Sequence, residues 1–350
     1  MYPLKFQPVF QKRLWGGQRL RAILNRPIPK ELQRTPLGES WELADLPPGT
    51  VKADSTGAAP DGSLSSVIAN GPLAGKSLHE AWAEINRKSK TVRPGTPVIE
   101  NRKSYFPLLI KFLDAAQDLS VQVHPDEAYA RAHPGAALKS EAWYILHADP
   151  GAKIYKGVKP GVTQDQFRAA LAAGQVEPLL NAIPVRTGDC HYLPSGTVHA
   201  LGAGLLVAEV QTPSDTTFRV FDWNRLTPDG KPRTLHVEEA LACIHFGPIP
   251  DQPLSGTAAP GATRLAQCEH FTIDRVELPH NTQRTLPDEM AVWIILQGQG
   301  VITVEGYPPT AFTRGDTLLL PPKMKAAQVK TIANAAWLEV KVPVHPMNVV

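Results

Sequence analysis

Cysteine is scarce: Cys190, Cys243 and Cys268 are the whole supply in 350 residues, an odd number at wide spacing. With no CxxC pair, neither a disulfide framework nor a thiolate metal site is encoded, and a reducing compartment is the natural setting. Long basic runs are missing as well. Thirty-six Lys and Arg against thirty-three Asp and Glu leave +3, so nothing follows a nucleic-acid backbone or an anionic membrane, and any positive charge that matters must be local. The most apolar stretch, Ala200 to Val210, is short and interrupted by Gly202 and Gly204, and MYPLKFQPVFQKRLWGG lacks the basic-then-apolar pattern of a signal peptide. These absences predict a cytoplasmic protein that meets neither nucleic acid nor membrane.

What is abundant is punctuation. Thirty-four prolines and twenty-six glycines break the chain into short apolar runs, the pattern of sandwiches and barrels of many strands. Strands are expected at Leu108–Leu113, Leu119–His124, Ala142–Leu146, Leu205–Val210, Phe218–Phe221, Phe271–Leu278, Ala291–Leu296, Val301–Val304 and Trp337–Val342. Helices are few and peripheral. Ser77 and Glu80 form a capping box ahead of Leu78, Trp82 and Ile85; Thr163 and Gln166 repeat it, and Val237–Ile244 gives a third short helix. The Pro/Gly-rich stretch Gly247–Arg264 reads as a linker, dividing residues 1–250 from 251–350. A second such stretch, Leu46–Leu73, reads as a surface excursion between strands of the first unit.

The two parts share a motif. Gly188-Asp189 and Gly315-Asp316 are each followed, four residues on, by Pro194 or Pro321. The first copy continues to Gly196 and His199, which matches the second signature of cupin barrels. The other copy has Lys323 and Ala326 at those places, so one barrel keeps a ligand and the other has lost it. The partner signature of cupins is His-x-His, and here Gln122-Val123-His124 stands in its place. In a strand, Gln122 and His124 share a face. Burying both is costly unless they are bonded or coordinated, and either a metal or a hydrogen-bonded pair at a barrel mouth satisfies that. By residue type alone, zinc, manganese, iron and nickel fit equally.

The chain resembles the zinc-dependent mannose-6-phosphate isomerases of the cupin type, in their short bacterial form. The resemblance rests on Phe106–Lys111 through Leu119–Glu127, on Trp15-Gly16-Gly17, Gly38–Glu42, Lys139–Tyr144 and Pro194–Leu201, and on Glu209–Arg219. It runs from near the start to about Arg225 and weakens beyond. It implies a mainly β fold of two cupin-like jelly-roll barrels, with catalysis in residues 1–250 and a metal-free cupin-like unit in 251–350. It also implies one Zn2+ per chain, held by Gln122, His124, Glu141 and His199, a ligand set that leaves room for substrate. The substrate is then a small sugar phosphate, and the chain is expected as a monomer or weak homodimer. Two features depart from the pattern: only fifty-seven residues separate Glu141 from His199, leaving no room for the helical insertion of longer members, and Leu138 precedes Lys139 where some of those have His.

Aldose–ketose isomerisation moves a proton between C1 and C2, so it needs a base near those carbons and an electrophile on the oxygens. Arg219, Lys139 and Glu209 match family residues with catalytic roles, and Lys111, Lys139 and Arg219 match residues of substrate binding. Alternatives remain for each. Arg219 can pair with Asp222, Glu209 can be a salt-bridge partner of Arg219 or Lys111, and the roles of the two lysines are not separable by sequence. Trp15 and Trp41 are expected in the core, and His191 as a solvated or hydrogen-bonded residue. An isomerase for a related sugar phosphate, or a non-catalytic sugar-phosphate-binding cupin, would share these motifs; iron-dependent oxygenase chemistry is disfavoured by Gln122.

Overall fold

The computed structural model describes residues 1–51, 55–89, 105–227, 229–249, 258 and 261–343. Four antiparallel sheets carry the architecture. In the first half a six-stranded sheet runs Cys190–Leu193, Glu141–Ala148, Leu205–Gln211, Leu109–Ala115, Leu37–Leu43, Val9–Gly17. It faces a five-stranded sheet of Leu180–Pro184, Lys153–Val158, His199–Leu201, Val121–Val123 and Phe218–Phe221. The second half repeats the plan with a six-stranded sheet around Ala291–Gln297, Ala335–Lys341 and Thr272–Leu278 and a four-stranded sheet around Gln328–Thr331 and Gln299–Thr303. The jelly-roll walls are thus facing sheets; among the described residues no continuous hydrogen-bonded ring closes them into barrels.

The two six-stranded sheets pack back to back. Phe112, Tyr144, Ala208 and Val210 share one core with Val292, Leu319, Leu338 and Val340, whereas Trp143, Ile145 and Val207, one residue out of step, belong to a different core on the opposite face. Strands covered on both faces read as unbroken apolar runs, which is why Leu109–Ala115 and Leu205–Gln211 are buried at every position. Lys111, Asp114 and Glu209 interrupt those runs, so their charges are buried by the fold itself.

The expected strands all form, with no end shifted by more than two residues. Both capping boxes form: Ser77 Oγ accepts from the Glu80 amide while Ser77 N donates to the Glu80 carboxylate at 2.8 Å, and Thr163 pairs reciprocally with Gln166. Two further α-helices form among the described residues, Arg19–Ala22 and Glu127–Ala132, the second capped by Asp126. Among the described residues of Leu46–Leu73 the regular elements are the strand Leu64–Ser65, which pairs with Asp45–Leu46, and one helical turn, Gly71–Leu73, and strands of the first sheet lie on either side of the stretch. Most of the Gly247–Arg264 linker lies outside the described residues.

Two local features matter later. First, Lys12 and Gly17 both pair with Leu37, so Arg13 to Gly16 leave the ladder as a bulge. Gly16 and Gly38 make it possible: a Cβ on Gly16 would sit 2.5 Å from the Gly38 nitrogen, and one on Gly38 would sit 2.5 Å from Arg13 Cβ. Second, Leu4–Lys5 pairs with Thr317–Leu320, so a strand that precedes the first half in sequence edges the sheet of the second. Leu4 is fully buried there, and Leu4→Ala should cost about 2–5 kcal/mol, measured as a lower urea midpoint for the whole chain.

Candidate metal centre

Strand register brings the polar residues together. In the six-stranded sheet, Trp143, Glu209, Lys111 and Trp41 lie directly opposite one another across four strands. In the facing sheet, Lys156, His199, Gln122 and Arg219 form a second such row. Residues in one transverse row project to one face, so the two rows meet across the interior. Glu141 joins from two residues before Trp143, and His124 from just past Val121–Val123.

His124, Glu141 and His199 offer ligand atoms that all lie within 4.8 Å of one another, and all three residues are buried. His199 Nε2 is 3.1 Å from Glu141 Oε1 and His124 Nε2 is 3.4 Å from Glu141 Oε2. Gln122 Nε2 lies 3.3 Å from His199 Nε2, and half a turn of the amide would present its oxygen instead.

The protonation state follows from the neighbours. His124 Nδ1 donates to the Thr216 carbonyl at 2.9 Å and His199 Nδ1 to the Thr197 carbonyl at 2.8 Å. A carbonyl can only accept, so each Nδ1 carries a proton, which leaves Nε2 of each ring to face the interior. Burial first, and then the Lys139 ammonium, pull His124 from 6.5 down to about 3 against the pull of Glu141, which keeps the ring neutral. Burial would raise Glu141, yet the Lys139 ammonium beside it holds it well below the usual carboxylate range.

The lone pair of neutral His124, Nε2 of His199 and the Glu141 carboxylate therefore converge on one point. His124 Nε2 and Glu141 Oε1 are buried without a hydrogen-bond partner, a costly arrangement unless a cation fills it. Lys139 Nζ, 2.9 Å from Glu141 Oε2, offsets only part of the charge. The donor set of two imidazoles, a carboxylate and an amide, with Nδ1 of each ring tied to backbone, suits a divalent metal of the zinc type.

The remaining residues surround this cluster. Glu209 accepts from Trp143 Nε1 at 2.9 Å and lies 3.8 Å from Lys111. Burial and the Glu141 charge raise its pKa, against Lys139 and Lys111. Lys111 also has Asp215 at 4.0 Å and stacks its ammonium 4.5 Å from the Trp41 ring. Burial would lower Lys139, but Glu141 and Glu209 raise it, so it stays an ammonium. Arg219 donates to the Thr234 carbonyl at 2.9 Å. Asp222, the alternative partner considered for it, binds Arg225 and Arg233 instead.

Trp15 and Trp41 are core residues. His191, half-buried opposite Trp143, has no hydrogen-bond partner at Nε2. Asp215, Glu39, Arg13 and Arg233 line the same cavity and were not singled out from sequence; the one available signal was that a lysine buried at position 111 needs more than one carboxylate.

The second half preserves part of this plan. Trp293 lies opposite Glu339 and donates to it at 3.0 Å, as Trp143 does to Glu209, but Ala291 occupies the place of Glu141. Among the described residues, His124, Glu141 and His199 are the only such cluster.

Residues 3–142 match the model of the phosphomannose isomerase type I catalytic domain. The chain is 35% identical to the mannose-6-phosphate isomerase of Streptococcus mutans, over 93% of its own length and 94% of the relative's. A crystal structure of the mannose 6-phosphate isomerase from Bacillus subtilis superposes with a TM-score of 0.78 at 31% identity, covering 98% of this chain and 100% of that one. A zinc-bound mannose 6-phosphate isomerase, 18% identical, shares the fold with a TM-score of 0.67, covering 98% and 100%.

Two outcomes are expected. His199→Ala should lose bound metal on dialysis, read by elemental analysis, while Lys325→Ala on the far surface should not. In metal-stripped protein, His124 protonates in the unfolded chain before the folded one. Its contribution is therefore present above pH 6.5 and lost as pH falls toward 3. Between pH 6.5 and 5 that amounts to about 2 kcal/mol, measurable by denaturant titration and flattened in His124→Gln.

Proposed function

Since the chain belongs to the type I phosphomannose isomerase family, we infer that it interconverts mannose 6-phosphate and fructose 6-phosphate at a single zinc held by Gln122, His124, Glu141 and His199. The observation that carries this is the convergence of His124, Glu141 and His199, whose ligand atoms lie buried within 4.8 Å of one another, with His124 Nε2 and Glu141 Oε1 lacking any hydrogen-bond partner. The name of the zinc-bound structure of the same fold supports the choice of metal. When bound, zinc supplies Lewis-acid polarisation of a carbonyl and orients its neighbouring oxygen.

The chain's own residues divide the remaining work. Lys139 is held as an ammonium by Glu141 and Glu209, so it serves as a charge and proton donor toward substrate oxygens and not as a base. Glu209 is the carboxylate whose pKa is raised by burial and by Glu141, which suits taking a proton from one carbon and returning it to the next. Arg219 stands opposite Gln122, where its guanidinium faces negative charge developing on the substrate. Lys111 lies beneath, held by Glu209 and Asp215.

Catalysis belongs to residues 1–250, and residues 251–350 serve to pack the back of the catalytic sheet. No described helix is long and apolar enough to cross a membrane, and with three free cysteines we place the protein in the cytoplasm.

A coupled assay with mannose 6-phosphate, run alongside metal analysis, tests the reading. Turnover should vanish with a chelator and return with zinc; a zinc-loaded protein without turnover would end it. Glu209→Gln should keep its zinc and lose about 10²–10⁴-fold in kcat, and a loss in KM alone would remove it from proton transfer.

A further inference from the structure

The cavity above the cluster encloses about 320 Å³, and the cations lining it differ in how well they are matched. Lys139 and Lys111 form the floor, about 5% exposed, each beside buried carboxylates. Arg13, Arg219 and Arg233 also line it; Arg13 and Arg233 are more exposed, at 27% and 20% of their side chains, and the three have fewer carboxylates among them. Asp222 takes the Arg233 fork through both oxygens and Arg225 through one, so a single carboxylate is shared by two guanidinium groups. Arg219 Nε is buried without an acceptor. After burial, crowding by Arg233, and then by Arg225 and Arg13 against Asp222, draws Arg219 down to about 10, the signature of like charges gathered without full compensation.

Arg13 is placed there by construction. The four-residue bulge between Lys12 and Gly17 carries it out of the ladder, and bulges beside active sites re-aim side chains in this way. Gly38 leaves room for its stem. Glu39 fixes the guanidinium at 2.6 Å and is itself fixed by Trp41 Nε1 at 2.6 Å. The Trp15-Gly16-Gly17 and Gly38–Glu42 segments thus share a purpose: they build one rigid perch for one arginine.

We propose that Arg13 and Arg233, beside Arg219, seat the 6-phosphate of the substrate and so determine specificity for the phosphorylated sugar, with Lys111 serving to hold Glu209 instead. This rests on the isomerase reading above. A phosphate monoester is a dianion whose oxygens match guanidinium forks in two-point fashion. With the phosphate at the opening, the sugar carbons extend down toward the zinc ligands. Glu39 is a positioning residue that acts through Arg13.

The test is steady-state kinetics of the zinc-loaded full chain with mannose 6-phosphate, with inorganic phosphate as competitive inhibitor. Arg13→Ala and Arg233→Ala should each raise KM and the phosphate Ki roughly 10–100-fold, with a much smaller change in kcat and unchanged zinc content. Arg13→Lys, which keeps charge without the fork, should fall between, and Glu39→Gln should follow Arg13→Lys. KM and Ki do not depend on the folded fraction, so a variant that folds poorly still reports. If both arginine variants shift KM and Ki less than twofold, or if Lys111→Met shifts the phosphate Ki more than either, the assignment is overturned. Were the parent chain to turn over no sugar phosphate, the isomerase reading would fail; calorimetric titration of the same variants with inorganic phosphate would still decide the seat.

Discussion

A carboxylate with no exposure to water is the constraint on which this structure turns. Glu141 is fully buried, and an isolated charge in such a place would be prohibitively costly. The sequence answers with Lys139 two residues away and with two imidazoles brought from the opposite sheet. Those imidazoles are fixed by backbone carbonyls from two further loops, at Thr197 and Thr216. Every strand that contributes to this arrangement is therefore held in register by a chemical need as well as by packing. A one-residue slip of Val121–Val123 would turn Gln122 and His124 out of the interior.

The second half shows what the same scaffold is without that need. Trp293 still bonds Glu339 across the same pair of strands, so the indole–carboxylate contact belongs to the fold. Ala291 replaces Glu141, and Asp274, which stands opposite Glu339 where Lys111 stands opposite Glu209, is matched by Arg264. Removing the buried acid removed the reason for the surrounding donors, and Ala326 follows the proline motif where His199 does in the first half. The Trp–Glu contact is thus common to both halves, and what sets Glu209 apart is the pair of lysines, Lys111 and Lys139, beside it.

Much of this was legible in sequence because it is local. Period-two alternation places Gln122 with His124, Gly and Pro mark the strand ends, and Ser77 and Thr163 announce their helices. Other features depend on which strands become neighbours. That Asp222 binds Arg225 and Arg233 instead of Arg219, that Lys111 has Asp215 nearby, and that Arg13 enters the cavity from a bulge are consequences of pairing between distant segments. The Trp15-Gly16-Gly17 motif was visible, but its meaning required seeing Gly38 against it. The back-to-back packing of the two large sheets has the same origin: a run such as Leu109–Ala115 says it is covered twice, not by what.

The strand Leu4–Lys5 carries a consequence for how the chain assembles. It lies beside Thr317–Leu320, and Lys5 closes an ion pair with Asp316 at 2.7 Å, about three hundred residues along the chain. The first half emerges from the ribosome with this segment unpaired, and its edge of the last sheet is completed only after the second half has been made. Contacts of such long range are slow to form, so the halves are clasped late and together. A peptide appended near Leu4 would disturb the unit farthest from it in sequence, and neither half can be cut away without leaving the other an open edge.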